Sequence, residues 1–162
     1  MKLTITLLAV AVAASGNAGE LKVLAEHSGG FSDRVQWRIR MAGDHINVFA
    51  SDAARNGTFG VTDEQRRQLV LLLDETRFFA LKARYGMGDM EGNSCTMTIL
   101  LGEQKSTVTL VMYSKNKPPD EAESSEVQRA YRVWDAVKAL GRLADLPDDC
   151  RREFNIWDIR PK

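Results

Sequence analysis

Residues 34–50 read RVQWRIRMAGDHINVFA, and this stretch decides the fold that the sequence predicts. Polar and apolar residues alternate from Arg34 to Met41, which is the period of a β-strand with one basic and one apolar face. Residues 42–44 have the composition of a turn, and residues 45–50 have the pattern of a second strand. The stretch therefore predicts a β-hairpin.

A helix is predicted downstream of this hairpin, after a polar loop. Thr62 and Gln65 have the spacing of a capping box, in which the two side chains bond to backbone N–H groups at the helix start. Leucines at 69, 72 and 73 recur at helical spacing on the buried side. We therefore expect a helix from about residue 63 to residue 76.

A second hairpin and a second helix follow. Residues 94–101 and 104–113 alternate as strands around a Gly-Glu turn, and residues 125–140 have apolar side chains at helical spacing before Gly141, which is expected to end the helix. Residues 19–33 have the composition of a linker. The order ββαββα predicts an α+β fold, with an antiparallel four-stranded sheet and helices packed on one face.

The C-terminal tail after Pro147 is too apolar for a disordered segment. It contains Phe154, Ile156, Trp157 and Ile159. We expect this tail to dock on the domain, and an edge strand is one form that the docking could take.

The first 18 residues predict a compartment. Lys2 precedes an apolar run from Leu3 to Ala14, which is shorter than the roughly 20 residues that a transmembrane helix needs. Gly16 and Ala18 occupy the −3 and −1 positions of a signal-peptide cleavage site. We therefore expect a signal peptide over 1–18, cleavage near Ala18, and a single periplasmic or secreted domain over 19–162 with no stable membrane insertion.

The charge balance argues against nucleic acid as a partner. The chain has 22 basic and 22 acidic residues, and loss of Lys2 with the signal peptide leaves 21 against 22, a net charge of −1. A near-neutral chain has no strong attraction to a polyanion. The predicted location outside the cytoplasm also argues against nucleic acid as a partner.

The predicted location makes a disulfide between the two cysteines, Cys95 and Cys150, possible. An even pair in an oxidising compartment can form one structural disulfide, and closing the intervening loop would stabilise the fold by about 4 kcal/mol. The alternative is two unpaired thiols, with Cys95 packed at a strand start and Cys150 in the tail. The chain has no C-x-x-C motif of the redox type.

The segment around the first helix resembles a group of bacterial secreted domains of unknown function. The resemblance rests on the run Val61-Thr62-Asp63-Glu64-Gln65, the leucines that follow it, Arg77-Phe78-Phe79-Ala80-Leu81 and Tyr85. In that group a hairpin precedes such a helix and a threonine-rich hairpin follows it. The resemblance covers roughly residues 34–140. It implies a hairpin–helix–hairpin core and an envelope location, and it implies no activity and no catalytic residues.

Motifs of catalysis and metal binding are sparse. The two histidines, His27 and His45, lack metal-ligand spacing, and the G-x-S-x-G motif of serine hydrolases does not occur. We therefore predict no metal site, no cofactor and no catalytic residue. His45 beside Asp44 is either a solvated turn residue or half of an acid–base pair. His27 is interpreted as a flexible linker residue.

The basic face of the first predicted strand is the candidate binding site. It is either a solvated sheet face or a docking surface for an acidic envelope protein or a polyanionic glycan. The candidate binding residues are Arg34, Arg38, Arg40 and His45. The sequence thus favours a non-catalytic binding or inhibitor-type module. The alternatives are a small-molecule or lipid carrier with a cavity between helix and sheet, and a hydrolase with Asp89 and Glu91 near His45. The sequence does not indicate whether the protein is a monomer or an oligomer.

Overall fold

The computed structural model describes residues 19–29, 34–86, 93–111 and 119–146. The predicted signal peptide, Cys150 and the C-terminal tail lie outside the described residues. Within them, the chain forms seven strands and two α-helices. The strands are β1 (Leu21–Gly29), β2 (Arg34–Ala42), β3 (His45–Ala50), β4 (Gly57–Gly60), β5 (Arg84–Tyr85), β6 (Ser94–Leu101) and β7 (Gln104–Val111). The helices are α1 (Asp63–Glu75) and α2 (Glu121–Leu140).

The strands form one mixed sheet in the order β4-β3-β2-β1-β6-β7-β5. Neighbouring strands are antiparallel except β5 and β7, which are parallel. The predicted four-stranded antiparallel sheet in ββαββα order is therefore wrong. Three strands were missing from it, because β4 and β5 are too short to show a period and β1 was interpreted as part of a linker.

Strand β1 lies at the centre of the sheet, between β2 and β6. Its alternate residues Leu21, Val23, Ala25 and His27 are buried. The interpretation of His27 as a flexible linker residue is wrong, because its ring is fully buried and stacks on Trp37 with 5.8 Å between ring centroids. The central strand thus begins two residues after the predicted cleavage site.

One hydrophobic core joins the sheet to the two helices. Alternate side chains of the strands meet buried side chains of α1 and α2 on the same face of the sheet. Trp37 of β2 and Trp134 of α2 are both buried, with 4.8 Å between their ring centroids. The opposite face of the sheet carries no described helix.

Local signals place the ends of α1. The predicted capping box is confirmed: Thr62 Oγ1 accepts from the Gln65 N–H at 3.2 Å, and Gln65 Oε1 accepts from the Thr62 N–H at 2.9 Å. At the other end, Arg129 of α2 donates from Nη1 to the Thr76 carbonyl at 3.1 Å. This bond satisfies a carbonyl that the end of α1 leaves without a helical partner.

Helix α2 begins earlier than predicted and ends where predicted. Asp120 caps its start by accepting from the Glu123 N–H at 2.8 Å, so the helix begins at Glu121 and not at about residue 125. Gly141 is the C-cap, as predicted, with φ of −79°. The left-handed conformation falls one residue later, on Arg142, with φ of 57°.

Candidate functional site

The open face of the sheet is the side opposite the helices. Side chains from five strands contribute to it in rows that the pairing register defines. Its described side chains include Lys22, Leu24, Glu26, Arg38, Arg40, Asn47, Phe49, Thr96, Thr98, Lys105, Thr107 and Thr109. Two of the four predicted binding residues, Arg38 and Arg40, lie together there.

Arg38 is held in place by its neighbours across the sheet. It lies opposite Glu26 of β1 on one side and opposite Phe49 of β3 on the other. Its Nε donates to Glu26 Oε1, and both side chains are about one-third exposed. Charge-assisted pairing with a carboxylate fixes the orientation of a guanidinium, so Arg38 presents a defined surface between a carboxylate and an aromatic ring.

Arg40 occupies the next row and is more available than Arg38. It lies opposite Leu24 and Asn47, its side chain is exposed, and it makes no ion pair within the part of the chain that the structure describes. A guanidinium without a carboxylate partner retains its full set of donors for a ligand. Arg40 is therefore the free cation of this row.

The register between β1 and β2 changes near the start of β2, where the backbone of Arg34 pairs. The β1–β2 register shifts by one residue between His27 and Ser28, so Val35 lies opposite Ser28, and Arg34 lies opposite Gly29. Gln36 is the extra residue of this bulge. An extra residue reverses the alternation of the residues beyond it. The regular pattern in the sequence did not reveal the bulge. The arginines of the predicted basic face whose side chains the structure describes are Arg38 and Arg40.

His45 begins β3 on the open face, at the edge of the site. Its Nδ1 lies 2.5 Å from Asp44 Oδ1, and the two side chains are 61% and 71% exposed. A general base must reach a substrate in a defined pose, and this pair is solvated at a turn. The residues that were predicted as its acidic companions, Asp89 and Glu91, lie outside the described residues.

Phe49 is a site residue that the sequence analysis missed. It is 53% exposed and lies opposite Arg38. The signal was present, because Phe49 shares the parity of His45 and Asn47 on the polar side of β3. Exposed aromatic residues next to arginine are typical of the residues that dominate binding energy at protein interfaces.

No family model matches this chain, and no curated protein matches it. The resemblance to bacterial secreted domains stays a hypothesis. Residues that carry it have structural roles here, since Thr62 and Gln65 cap α1 while Phe78 and Tyr85 are buried in the core.

The other half of the open face is rich in threonine. Thr96 and Thr109 lie opposite each other with 3.2 Å between hydroxyl oxygens, and Thr98 and Thr107 are paired at 2.9 Å. Such cross-strand pairs stabilise a sheet and bond to one another rather than to a ligand. The open face thus divides into a basic part on β1, β2 and β3, which holds the aromatic anchor, and a threonine-rich part on β6 and β7.

Chemistry elsewhere in the described residues is structural. Cys95 lies opposite His27, but both side chains are fully buried, so no substrate could reach this pair. Tyr85 donates to Glu126 Oε2 at 2.9 Å and accepts from the Lys82 N–H at 2.8 Å. Burial, followed by the nearby Glu126 carboxylate, raises the pKa of Tyr85 to about 12. The phenol therefore stays protonated at neutral pH and links β5 to α2.

The described ranges contain neither a metal site nor a membrane-spanning helix. No three side chains among the described His, Cys, Asp and Glu residues are arranged to hold a metal ion. Neither described helix has the length and the apolar composition that a bilayer span requires.

Proposed function

We propose that this protein is a non-catalytic binding or inhibitor-type module that binds an acidic envelope protein through the basic part of its open face. The observation that supports the proposal most is the row Glu26–Arg38–Phe49, with Arg40 exposed in the next row. It combines an aromatic anchor, a fixed arginine and a free arginine on one rigid sheet. This combination is suited to a partner that offers an apolar pocket bordered by carboxylates.

Local charge supports an acidic partner. The charged strand residues of the open face are Lys22, Glu26, Arg38, Arg40, Arg84 and Lys105. Glu26 is the one acid among them and pairs with Arg38. The whole chain is balanced at 22 charges of each sign, so the positive excess belongs to this face and not to the protein in general. Such a local field favours and orients an acidic partner.

The structure gives the carrier hypothesis less support than the binding hypothesis. A carrier would need space between the sheet and the helices. In the described part of this interface, large side chains are fully buried and in contact, among them Trp37, Phe78, Tyr85 and Trp134. The proposal therefore concerns a surface and not a cavity.

The test is affinity capture from an envelope extract with four forms of the mature protein. The forms are the wild type, Phe49→Ala, Arg40→Glu and the charge-matched control Arg132→Glu, which lies on α2. We expect the wild type and the control to retain an acidic protein. Loss of a buried aromatic anchor costs at least about 2 kcal/mol, so Phe49→Ala should weaken binding of that purified protein about 30-fold. Arg40→Glu should weaken it about tenfold and reduce its salt dependence.

Three results would contradict this proposal. Equal loss in the Arg132→Glu control would show that the open face is not the contact surface. Binding of a sulfated polysaccharide that is lost in the same two variants, with no acidic protein retained, would assign the face to a polyanionic glycan. Turnover in a hydrolase panel that His45→Ala abolishes would assign the protein to the enzymes.

A further inference from the structure

The outer surface of α1 carries a second exposed apolar residue, Leu71. Its side chain is 63% exposed, on the rim of a groove of about 590 Å³ between α1 and α2. Residues that line the groove include Gln68, Leu71, Leu72 and Glu75 of α1 and Ala136 and Leu140 of α2. This helix groove lies on the side of the molecule away from the open face, so it is independent of the proposed binding site.

The polar residues around Leu71 are complementary to the same residues on a second copy of α1 that runs in the opposite direction. Arg67 and Asp74 are seven residues apart, so they lie on one stripe of α1, one turn before and one turn after Leu71. Gln68 and Glu75 lie in the same way on the neighbouring stripe. If an identical helix packs antiparallel against α1 with the two Leu71 residues in contact, each Arg67 meets an Asp74 and each Gln68 meets a Glu75.

We propose that the α1 surface centred on Leu71 is the site at which two copies of this chain associate about a twofold axis. An isologous interface requires a surface that is complementary to itself, and the Arg67–Asp74 and Gln68–Glu75 pairs meet that requirement by charge and hydrogen bonding. The four polar side chains are exposed. Arg67 and Gln68 contact Glu64 on their own helix, and Glu75 pairs with Arg132 of α2. Exposed ion pairs of this kind are weak and do not prevent contact with a partner.

The size of the α1 surface determines how tightly two copies are expected to associate. The 13 residues of α1 span about 20 Å, which is short for an interface that buries the roughly 800 Å² per partner of a stable complex. The dimer should therefore be weak, with a dissociation constant on the order of 100 µM. A long acyl chain suits the groove less well, because Gln65, Gln68 and Glu75 border it.

Sedimentation velocity of the mature chain over about 5 to 500 µM tests the proposal, since this range brackets the expected dissociation constant. The wild type should shift from monomer toward dimer with rising concentration. Leu71→Glu should remain monomeric throughout. Phe49→Glu, the same change at the other large apolar side chain that is exposed in the described ranges, should associate like the wild type. Circular dichroism should show that all forms are folded, because both positions are exposed.

A charge exchange tests the orientation of the two helices. Arg67→Asp and Asp74→Arg should each weaken association at least about tenfold, because each change places like charges opposite one another. The double variant Arg67→Asp/Asp74→Arg should regain most of the lost affinity.

A wild type that stays monomeric at the highest concentration would overturn the proposal, as would an association that Leu71→Glu leaves unchanged. A double variant no better than the single ones would overturn the antiparallel arrangement. If the monomeric wild type bound a fatty acid and Leu71→Glu did not, the groove would be a ligand site instead. These outcomes are separate from the capture experiment, which depends on Phe49 and Arg40.

Discussion

Gly141, at the end of α2, lies against Ile39 of β2 so closely that a β-carbon at position 141 would stand 2.6 Å from Ile39 Cδ1 and 3.4 Å from Val48 Cγ2. Its φ of −79° is open to any residue. The position therefore favours glycine because of space and not because of backbone conformation, since a β-carbon would force the buried Ile39 side chain to shift. The end of α2 can approach the sheet only because this residue has no side chain.

Gly141→Ala should lower the free energy of unfolding by about 1–3 kcal/mol, the usual cost of overpacking a core. Urea denaturation with tryptophan fluorescence would measure it. The matched control is Gly60→Ala, since a β-carbon there would meet nothing within 4 Å. A loss as large at Gly60, or no loss at Gly141, would contradict the packing argument.

At position 142, a glycine variant should be more stable than an alanine variant. Its φ is 57°, its N–H donates to the Ala139 carbonyl, and its guanidinium carbon lies 4.2 Å from the centroid of the Phe59 ring. Both Arg142→Ala and Arg142→Gly lose the contact with Phe59, but only the glycine removes the left-handed strain. We expect the glycine variant to be more stable than the alanine variant by about 1 kcal/mol in urea denaturation.

The control for Arg142 compares the stabilities of a glycine variant and an alanine variant at a position inside a helix. At Arg132, in the middle of α2, glycine should be less stable than alanine by about 1 kcal/mol, which is the opposite sign. Equal stabilities of the two variants at position 142 would show that its conformation carries no strain.

Tyr85 should make stability depend on pH in the alkaline range. Its pKa is raised from 10.0 to about 12 in the folded protein, so the folded state disfavours the phenolate. The stabilisation is therefore complete below pH 10 and is lost as the pH rises from 10 toward 12, by about 2–3 kcal/mol in total. Phenolate absorbance should show one of the three tyrosines titrating near pH 12, and Tyr85→Phe should remove both that step and the added pH dependence.

The disulfide between Cys95 and Cys150 stays a prediction. Cys95 is fully buried at the start of β6, while Cys150 lies outside the described residues. The mass of the mature protein without reductant should be lower by two hydrogens than its mass after reduction. Two thiols that react with an alkylating reagent in the unreduced, denatured protein would refute the bridge.

Features that depend on near neighbours in sequence could be predicted. The capping box of α1 needs only Thr62 and Gln65, and each hairpin needs only two adjacent alternating segments. The face that Arg38 and Arg40 share follows from the same local alternation. These interactions are complete within a few residues or across one turn, so the sequence contains nearly all of the information.

Features that depend on distant pairing could not be predicted. Strand β1 has an alternating pattern, but Leu24 on its polar side and His27 on its buried side weaken the contrast. The bulge at Gln36 exists only because β1 pairs with β2 in a shifted register. The position of Phe49 opposite Arg38 likewise depends on register, although the parity of Phe49 in its strand was visible.

The central position of β1 has a consequence for how this chain reaches its native state. Ala25 pairs with Ile39, 14 residues later, and also with Met97, 72 residues later. Pairings with a larger separation in sequence form more slowly in general, so we expect β1 to pair with β6 after it pairs with β2. β1 can pair with β2 before it pairs with β6, and its other edge stays open until then. An unpaired strand edge is prone to aggregate. The chain is therefore most at risk of aggregation after β1 has paired with β2 and before it pairs with β6.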